Sequence, residues 1–446
     1  MALSGIQIYK LLPKTNCKDC GFPTCLAFAM KLAAKQAELS ACPHVSEEAA
    51  AELSEASEPP IRLVTLKANG NEIKAGNEVV LFRHEKTFYN QPGLFIRVRD
   101  DESAGGIKSK VAAVDAYAVD YVGMSLTVDG FAVEAVSGSG DAFASAVTAV
   151  REASQRPLIL ISPDSEVMAA GLGALEGEAP LIYGADADNW EAMVGLAKQY
   201  EAPLGIVAST LDDLAELTEK IKEAGVNDLV LDPGARSLSA SLALSTQIRR
   251  LALKKGFRPL GFPLIAFPGE TDDPAHEVVL AAQAIAKYAG FVVLDNFAPE
   301  TAYSLLVLRA NIFTDPQKPI QVLPGVYEIN DPKPEDPVLV TTNFSITYFS
   351  VANEVESAGL PAWLVVTDAE GMSVLTAWAA GKFDAERIAK AVKTFNLADK
   401  VSKKRVVLPG HVAVLSGELE EELPDWEIRV GPREAVDLPA FMKSAL

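Results

Sequence analysis

The sequence predicts α/β architecture through its middle and tail, with a central barrel of eight βα units, a C-terminal doubly wound sheet, and a small cysteine-bearing unit in front of both. Three observations predict it. Hydrophobic residues make up 49% of the chain but aromatic residues only 7%, a balance rich in alanine, valine and leucine that favours α/β over all-β folds. Eight apolar runs of strand length follow one another, each trailed by a helical stretch. All the cysteines, Cys17, Cys20, Cys25 and Cys42, lie near the start of the 446-residue chain.

Residues 1–45 form the cysteine unit. Its spacing is C-x2-C-x4-C-x16-C, with Pro43 directly after the last thiol. Iron-sulfur clusters use closely spaced thiolates with a further one arriving from elsewhere, often followed by proline. Structural zinc prefers two matched pairs, and Cys25 to Cys42 is no such pair. The spacing therefore favours a 4Fe-4S cluster over zinc, and nothing in the N-terminal MALSGIQIYKLLPK suggests export to a disulfide-forming compartment. Between the third and fourth thiols, Leu26, Ala29, Met30, Ala33 and Ala37 recur at spacings of three and four, which predicts an amphipathic helix. Gly21 and Pro23 place a turn inside the ligand loop.

Residues 46–60 are acidic and alanine-rich and end in Pro59-Pro60, a helix-prone tether or a docked helix. The barrel is expected over 61–313, opened by a hairpin from RLVTLKANG and NEVVLFRHE. Its strands are read as GLFIRVR (93–99), VDYVGMSL (119–126), PLILIS (157–162), PLIYGA (180–185), PLGIVAS (203–209), NDLVLD (227–232), PLIAFP (263–268) and FVVLDN (291–296). The Pro-Leu starts at Pro157, Pro180 and Pro203 recur at one even spacing, the footprint of a βα unit. Eight such units are what a closed TIM barrel requires.

Residues 314–337 carry Pro316, Pro319, Pro324, Pro332, Pro334 and Pro337, which predicts a stiff extended connector. Over 338–446 a second alternation begins: PVLVTT, a helix from about Ile346, AWLVVTD, a helix from Gly371, another from Asp384, RVVLPG, a helix from about His411, then WEIRVG and a closing helix. Strands with intervening helices predict a small doubly wound domain.

The formal charge of -20 argues against nucleic acid, whose phosphates need clustered lysine and arginine. No apolar run is long enough to span a bilayer, so a cytoplasmic protein is expected. There is no G-x-x-x-x-G-K-S/T loop, and SGSGDAFAS (137–145) is only a fragment of a dinucleotide fingerprint. With no thiol outside the N-terminal unit and no nucleophile elbow, cysteine and serine-elbow catalysis drop out.

Two strand edges are left for chemistry. In the C-terminal domain the loops after the strands are TTNFSIT, TDAEGMS, LPGH and GPREA. In a parallel sheet they emerge at one carboxyl edge, where open α/β folds bind ligands. Thr341, Thr347 and Ser373 offer hydroxyls, Gly371 and Gly410 allow close backbone approach, and Arg433 suits an anion. Singly, each Thr or Ser reads as a helix cap, and His411 as a cap of the helix that follows or as an axial ligand in the cleft; together they make a cleft. In the barrel, Asp100, Asp164, Asp186, Asp232, Glu270, Asp295 and Asn296 close the strands. They read as caps, or as a pterin or folate site, which leaves a pterin-dependent methyltransferase in the barrel as the alternative function.

The segment LLPKTNCKDCGFPTCLAFAMKLA, the eight-unit barrel, and a C-terminal domain with TTNFSIT and GMSVLTAW together resemble the large (gamma) subunit of the corrinoid iron-sulfur protein of the reductive acetyl-CoA (Wood-Ljungdahl) pathway. The resemblance covers the whole chain in the same domain order. It implies that Cys17, Cys20, Cys25 and Cys42 hold the 4Fe-4S cluster. It also implies that a corrinoid (cobamide, with its cobalt) touches Thr341, Thr347, Gly371, Met372, Ser373, Val374, Gly410, Arg433 and Ala435. The family carries a methyl group on cobalt from a methyltetrahydrofolate methyltransferase to acetyl-CoA synthase/CO dehydrogenase, while the cluster reactivates oxidised cobalt. It pairs this subunit with a small one, which implies a heterodimer. The D-x-H-x-x-G string of other corrinoid proteins is absent, in keeping with a family that leaves the metal without a protein histidine and so eases its reduction.

Overall fold

A computed structural model describes residues 5–33, 37–46, 49, 53, 59–121, 124–175, 177–271, 273–314 and 320–446. Most of the tether at 46–60, and Pro316 and Pro319 of the connector, lie outside the described residues. The chain divides into two compact units. Residues 1–118 with 127–313 make the first, and residues 119–126 with 314–446 make the second.

In the first unit an antiparallel hairpin, β1 (Val64–Ala68) and β2 (Asn71–Ala75), precedes β3 (Gly93–Arg99). The turn at Asn69-Gly70 closes it, both residues at positive φ. The second hairpin strand is therefore NEIKA, ahead of the NEVVLFRHE run expected from the sequence. After β4 (Ala118–Tyr121) and β5 (Met124–Thr127) come β6 (Gly130–Glu134), β7 (Leu158–Ile161), β8 (Leu181–Ala185), β9 (Leu204–Val207), β10 (Leu229–Asp232), β11 (Leu264–Ala266) and β12 (Ala289–Leu294). Strands β3 and β6 to β12 close into the expected eight-stranded parallel barrel, with β12 beside β3. Phe95, Ala132, Ile159, Leu181, Val230, Ile265, Phe291 and Val293 fill its interior. Val64, Leu66 and Ala75 of the hairpin belong to the same core, so the hairpin stoppers the barrel where Gly93 and Gly290 lie against Ile73 and Ala75.

One expected strand is displaced. VDYVGMSL is not a barrel strand; β4 and β5 form a separate two-stranded sheet, and GFAVE supplies the barrel's second strand as β6. The physical reason is burial: a barrel strand is covered on both faces, as β6 is, whereas β4 alternates exposed and half-buried positions. Gly130 also has to be glycine, since a Cβ there would sit 2.3 Å from the Pro157 carbonyl and 2.5 Å from the Phe95 ring. Tyr121 and Met124 instead pack on the second unit's core beside Tyr327 and Tyr348. Burial, with Tyr348 and Asp120 nearby, pushes the Tyr327 hydroxyl up to about 12.

In the second unit β13 (Gly325–Ile329), β14 (Val338–Thr342), β15 (Ala362–Thr367), β16 (Arg405–Leu408) and β17 (Glu427–Val430) form one sheet in the order β13-β15-β14-β16-β17. Four strands are parallel and β13 is an antiparallel edge. The connector expected over 314–337 thus folds in part: Tyr327 and its neighbours pair with β15, and Val322 is buried. Prolines flank that strand without interrupting it, which is why proline count alone misplaced the boundary. The chain passes from β14 to β15 on one side and returns to β16 on the other, so the strand order reverses between β14 and β16.

Candidate functional site

The four thiols are free. Cys25 opens the helix Cys25–Ala33, and Cys25 and Cys42 are buried in a small apolar core with Ile8, Leu12, Phe28 and Ala29, against which Cys20 and Phe22 pack. Between Lys14 and Gly21 the backbone repeatedly takes positive φ, at Lys14, Asn16, Lys18 and Gly21. Such a path turns backbone N–H groups inward. The Asn16 N–H donates to the Cys25 sulfur (3.4 Å) and the Asn16 side chain accepts from the Cys25 N–H (2.8 Å). Cys17 is exposed, near Asp19 and His44, whose Nε2 lies 2.6 Å from the Asp19 carboxylate. Hydrogen bonds from His44, then Cys17, hold that carboxyl below its ordinary value. Unpaired thiols, an N–H aimed at sulfur and a glycine-bearing ligand loop fit a thiolate-held cluster.

The second unit holds a cavity of about 480 Å³ at the carboxyl ends of β14 and β16. That is the reversal point of the sheet, where open α/β folds place ligands. Thr341, Thr347, Ser373, Val374, Arg433 and Ala435 line it, as do His411 and the apolar side chains Ile346, Leu375 and Val436. Thr341 is 1% exposed and its hydroxyl has no hydrogen-bond partner among the described residues. A buried hydroxyl left unmatched costs roughly 1–3 kcal/mol, so a partner supplied from the cavity would recover that cost.

The helices that start at this edge lack side-chain caps. Helix Ser345–Ser357 follows Phe344, and the turn at Gly410 follows Pro409. Ser373 occupies a cap position, but its hydroxyl pairs with Thr376 (3.0 Å) and caps nothing. The capping reading of these residues therefore fails. His411 likewise does not cap; it turns into the cavity 3.9 Å from Glu434.

Residues 63–442 match the family model of the CO dehydrogenase/acetyl-CoA synthase delta subunit, and residues 12–44 a model described as "Putative Fe-S cluster". The corrinoid/iron-sulfur protein large subunit of Moorella thermoacetica is 45% identical over 446 residues, covering 100% of both chains. The gamma subunit of the acetyl-CoA decarbonylase/synthase complex of Methanopyrus kandleri is 35% identical, covering 99% of this chain and 97% of its own. This chain belongs to the corrinoid/iron-sulfur protein large-subunit (gamma) family. Among solved structures, a dihydropteroate synthase from Thermus thermophilus covers 55% of the chain and 98% of its own, with a TM-score of 0.38 and 17% identity.

In this large-subunit chain the remaining expected contacts, Gly371, Met372 and Gly410, do not line the cavity but adjoin residues that do. Gly371 is at φ +73, and a Cβ there would meet the Gln321 side chain at 2.7 Å. Met372 packs on the domain core. Gly410 lets two loops touch: a Cβ would lie 2.5 Å from the Gly431 carbonyl and 2.9 Å from the Arg433 nitrogen. What sequence reasoning missed is Asn343, buried at 1% directly after β14. An Asn following a strand run was the available signal.

The barrel's acids have found partners within the protein. Asp164 caps helix Ser165–Gly173 as expected. Asp100 accepts from the Val136 and Ser137 N–H groups. Asp186 closes its own turn by accepting from Asp188 and Asn189. Asp232 does not cap: it takes both ends of the Arg236 guanidinium (3.0 and 2.8 Å) and the Tyr183 hydroxyl (2.6 Å). Arg97 and Arg99 both bridge Glu134 and Asp295, and Glu270 faces Arg97 and Arg236. Burial pushes the Asp295 carboxyl up in spite of those arginines. Asn296 donates to Glu277 (2.7 Å).

Among the described residues, no helix is long and apolar enough to cross a membrane.

Proposed function

We propose that this chain is a methyl-carrier subunit, with a 4Fe-4S cluster on Cys17, Cys20, Cys25 and Cys42 and a corrinoid in the C-terminal cavity. The observation that carries the reading is the cavity at the sheet reversal, where the Thr341 hydroxyl lacks a partner and neighbouring helix starts lack caps. It is joined in one polypeptide to a four-thiol loop, in a chain that aligns from end to end with a corrinoid/iron-sulfur large subunit.

When bound, the corrinoid supplies cobalt that accepts a methyl group from methyltetrahydrofolate through a separate methyltransferase and yields it to acetyl-CoA synthase/CO dehydrogenase, while the cluster supplies single electrons for reactivation. The protein's share is position and electrostatics. Thr341, Thr347, Ser373, Val374, Arg433 and Ala435 would contact the ligand, and Gly371, Met372 and Gly410 would hold the loops that present them. Ile346, Leu375 and Val436 give the broad apolar wall that a macrocycle needs. Exposed apolar residues about this edge, Ile346, Leu375 and Val436, would be left to water around a bound ligand unless a small partner subunit in a heterodimer covers the rim. The alternative of a pterin-dependent methyltransferase in the barrel draws no support from the barrel mouth, where Asp164, Asp232 and Asn296 are each committed within the protein.

Anaerobic preparation with iron and cobalt analysis and a visible spectrum tests this. Iron matching one 4Fe-4S cluster and stoichiometric uptake of cobamide are expected. Cys20→Ala should lose iron while titrating with cobamide as the unaltered chain does. Zinc in place of iron, with no cobamide uptake, would overturn the proposal.

A further inference from the structure

The cavity wall formed by Ser373 and Val374 stands on a turn held by the buried Asn343 side chain together with the turn's own Asp368, which accepts from the Glu370 N–H (3.1 Å). Met372 N–H closes the turn onto the Ala369 carbonyl (3.0 Å), and its two central residues, Glu370 and Gly371, both have positive φ (53° and 73°). Glycine takes that conformation freely, but glutamate pays for it. The turn must therefore be held from outside. Asn343 does so: its Oδ1 accepts from the N–H groups of Ala369 (2.9 Å) and Gly371 (3.0 Å).

The same amide has a second end. Its Nδ2 donates to Asp368 (3.3 Å) at the head of the turn and to Gln321 (3.3 Å). The Asn343 carbonyl accepts from the Val322 N–H (2.9 Å), and Gln321 bridges to Phe344. One residue thus ties together the end of β14, which carries Thr341, the turn that leads to Ser373 and Val374, and the strap at 320–322. Asn343 is not itself part of the cavity lining.

We infer that Asn343 is a positioning residue for the corrinoid site, fixing the 369–374 segment in its ligand-ready form through both ends of its amide. The inference rests on the reading of the cavity as that site. It needs an amide and no other side chain: aspartate offers the acceptor but no donor, and places a second carboxylate against Asp368, while alanine leaves two buried N–H groups without a partner. An isosteric leucine would fill the space and supply neither function.

The experiment titrates the full chain with a cobamide under reducing conditions, following the visible spectrum, and records the thermal unfolding of the ligand-free chain beside it. Asn343→Asp and Asn343→Ala should each weaken binding by roughly tenfold to a hundredfold, beyond anything their melting temperatures account for. For Asn343→Asp the loss should diminish at lower pH, where the new carboxyl regains a proton and can donate to Asp368. Gln321→Ala removes one partner of the amide and leaves the turn contacts in place, so a smaller loss is expected. It serves as the measurement should the Asn343 variants fail to fold. Variants that bind as tightly as the unaltered chain, or an Asn343→Asp deficit indifferent to pH, would overturn the inference. If the unaltered chain takes up no cobamide, it is the reading of the cavity that has failed.

Discussion

Gly410→Ala is the substitution whose consequence the backbone geometry fixes most tightly. A methyl group at this position would lie 2.5 Å from the Gly431 carbonyl oxygen, 2.8 Å from the Pro432 carbonyl carbon and 2.9 Å from the Arg433 nitrogen. All three are backbone atoms, so no rotamer change relieves the contact. The Gly410 N–H also donates to the Pro432 carbonyl (2.9 Å), and the two loops would have to part. Overpacking of this kind costs about 1–3 kcal/mol, which is about a fivefold to 150-fold shift in the unfolding equilibrium. The loop that moves carries Arg433 and Ala435, so cobamide affinity should fall with it. Gly417 is the control, since nothing lies within 4 Å of a Cβ there and it sits in helix Ser416–Glu422. Gly417→Ala should be stabilising by roughly 0.5–1 kcal/mol. Denaturant unfolding followed by tryptophan emission suits the measurement, because Trp363, Trp378 and Trp426 lie in the second unit and Trp190 in the first. Equal midpoints for Gly410→Ala and Gly417→Ala, with equal cobamide binding, would refute the reasoning.

Thr341→Val removes a buried hydroxyl that has no partner among the described residues, so ligand-free stability should hold or rise while cobamide affinity drops about tenfold; differential scanning calorimetry beside a spectral titration separates the two. A second expectation concerns pH. Glu178 pairs with Arg151 (2.7 Å), yet burial outweighs the pairing and raises its carboxyl above the ordinary value. The folded chain then holds that proton more tightly than the unfolded one, so the group's contribution is present below the unfolded value and is lost as pH rises through the raised one. Glu178→Gln cannot titrate. The stability of the unaltered chain relative to this variant should therefore fall with rising pH just above the carboxylate range; a gap that grows instead would reverse the assignment.

Period and spacing were enough to read most of the barrel, because seven of its strands are short apolar runs each trailed by a helix, three of them opened by Pro-Leu at one even spacing. The eighth was misplaced at VDYVGMSL, since an apolar run does not say which surface will cover it, and here the cover is a different unit. The edge strand Gly325–Ile329 was hidden for a related reason. An edge strand tolerates flanking prolines, so the prolines spoke for a connector. The four thiols and the loop ends bearing Thr341, Thr347, Ser373 and Arg433 were legible because chain order alone brings the loops of a parallel sheet to one edge. Asn343 was not, since its role depends on a turn that becomes visible only with the positive φ values of Glu370 and Gly371.

The two parallel sheets treat their carboxyl edges differently, and that difference favours the proposed site in the second unit. At the barrel mouth, Arg97, Arg99 and Arg236 are matched against Glu134, Asp232, Glu270 and Asp295. The side chains of Ser103, Ser139, Asp164, Thr210, Ser237 and Asp273 cap the helices that follow them, whereas the helices after Asn189 and Ala298 have no side-chain cap. A ligand arriving there would have to compete with the ion pairs that Arg97, Arg99 and Arg236 already make. At the second unit's edge the helix starts after Phe344, Ser373 and Pro409 are uncapped, and Thr341 is unpartnered. A ligand there gains hydrogen bonds that nothing in the protein has to give up. Because an unmet buried donor or acceptor costs more than a met one returns, the proposed corrinoid would relieve a cost that the edge otherwise carries. The barrel mouth differs in charge pairing, since its arginines and acids are matched as ion pairs even though Arg97 Nε and Nη2 and Asp295 Oδ1 have no hydrogen-bond partner among the described residues.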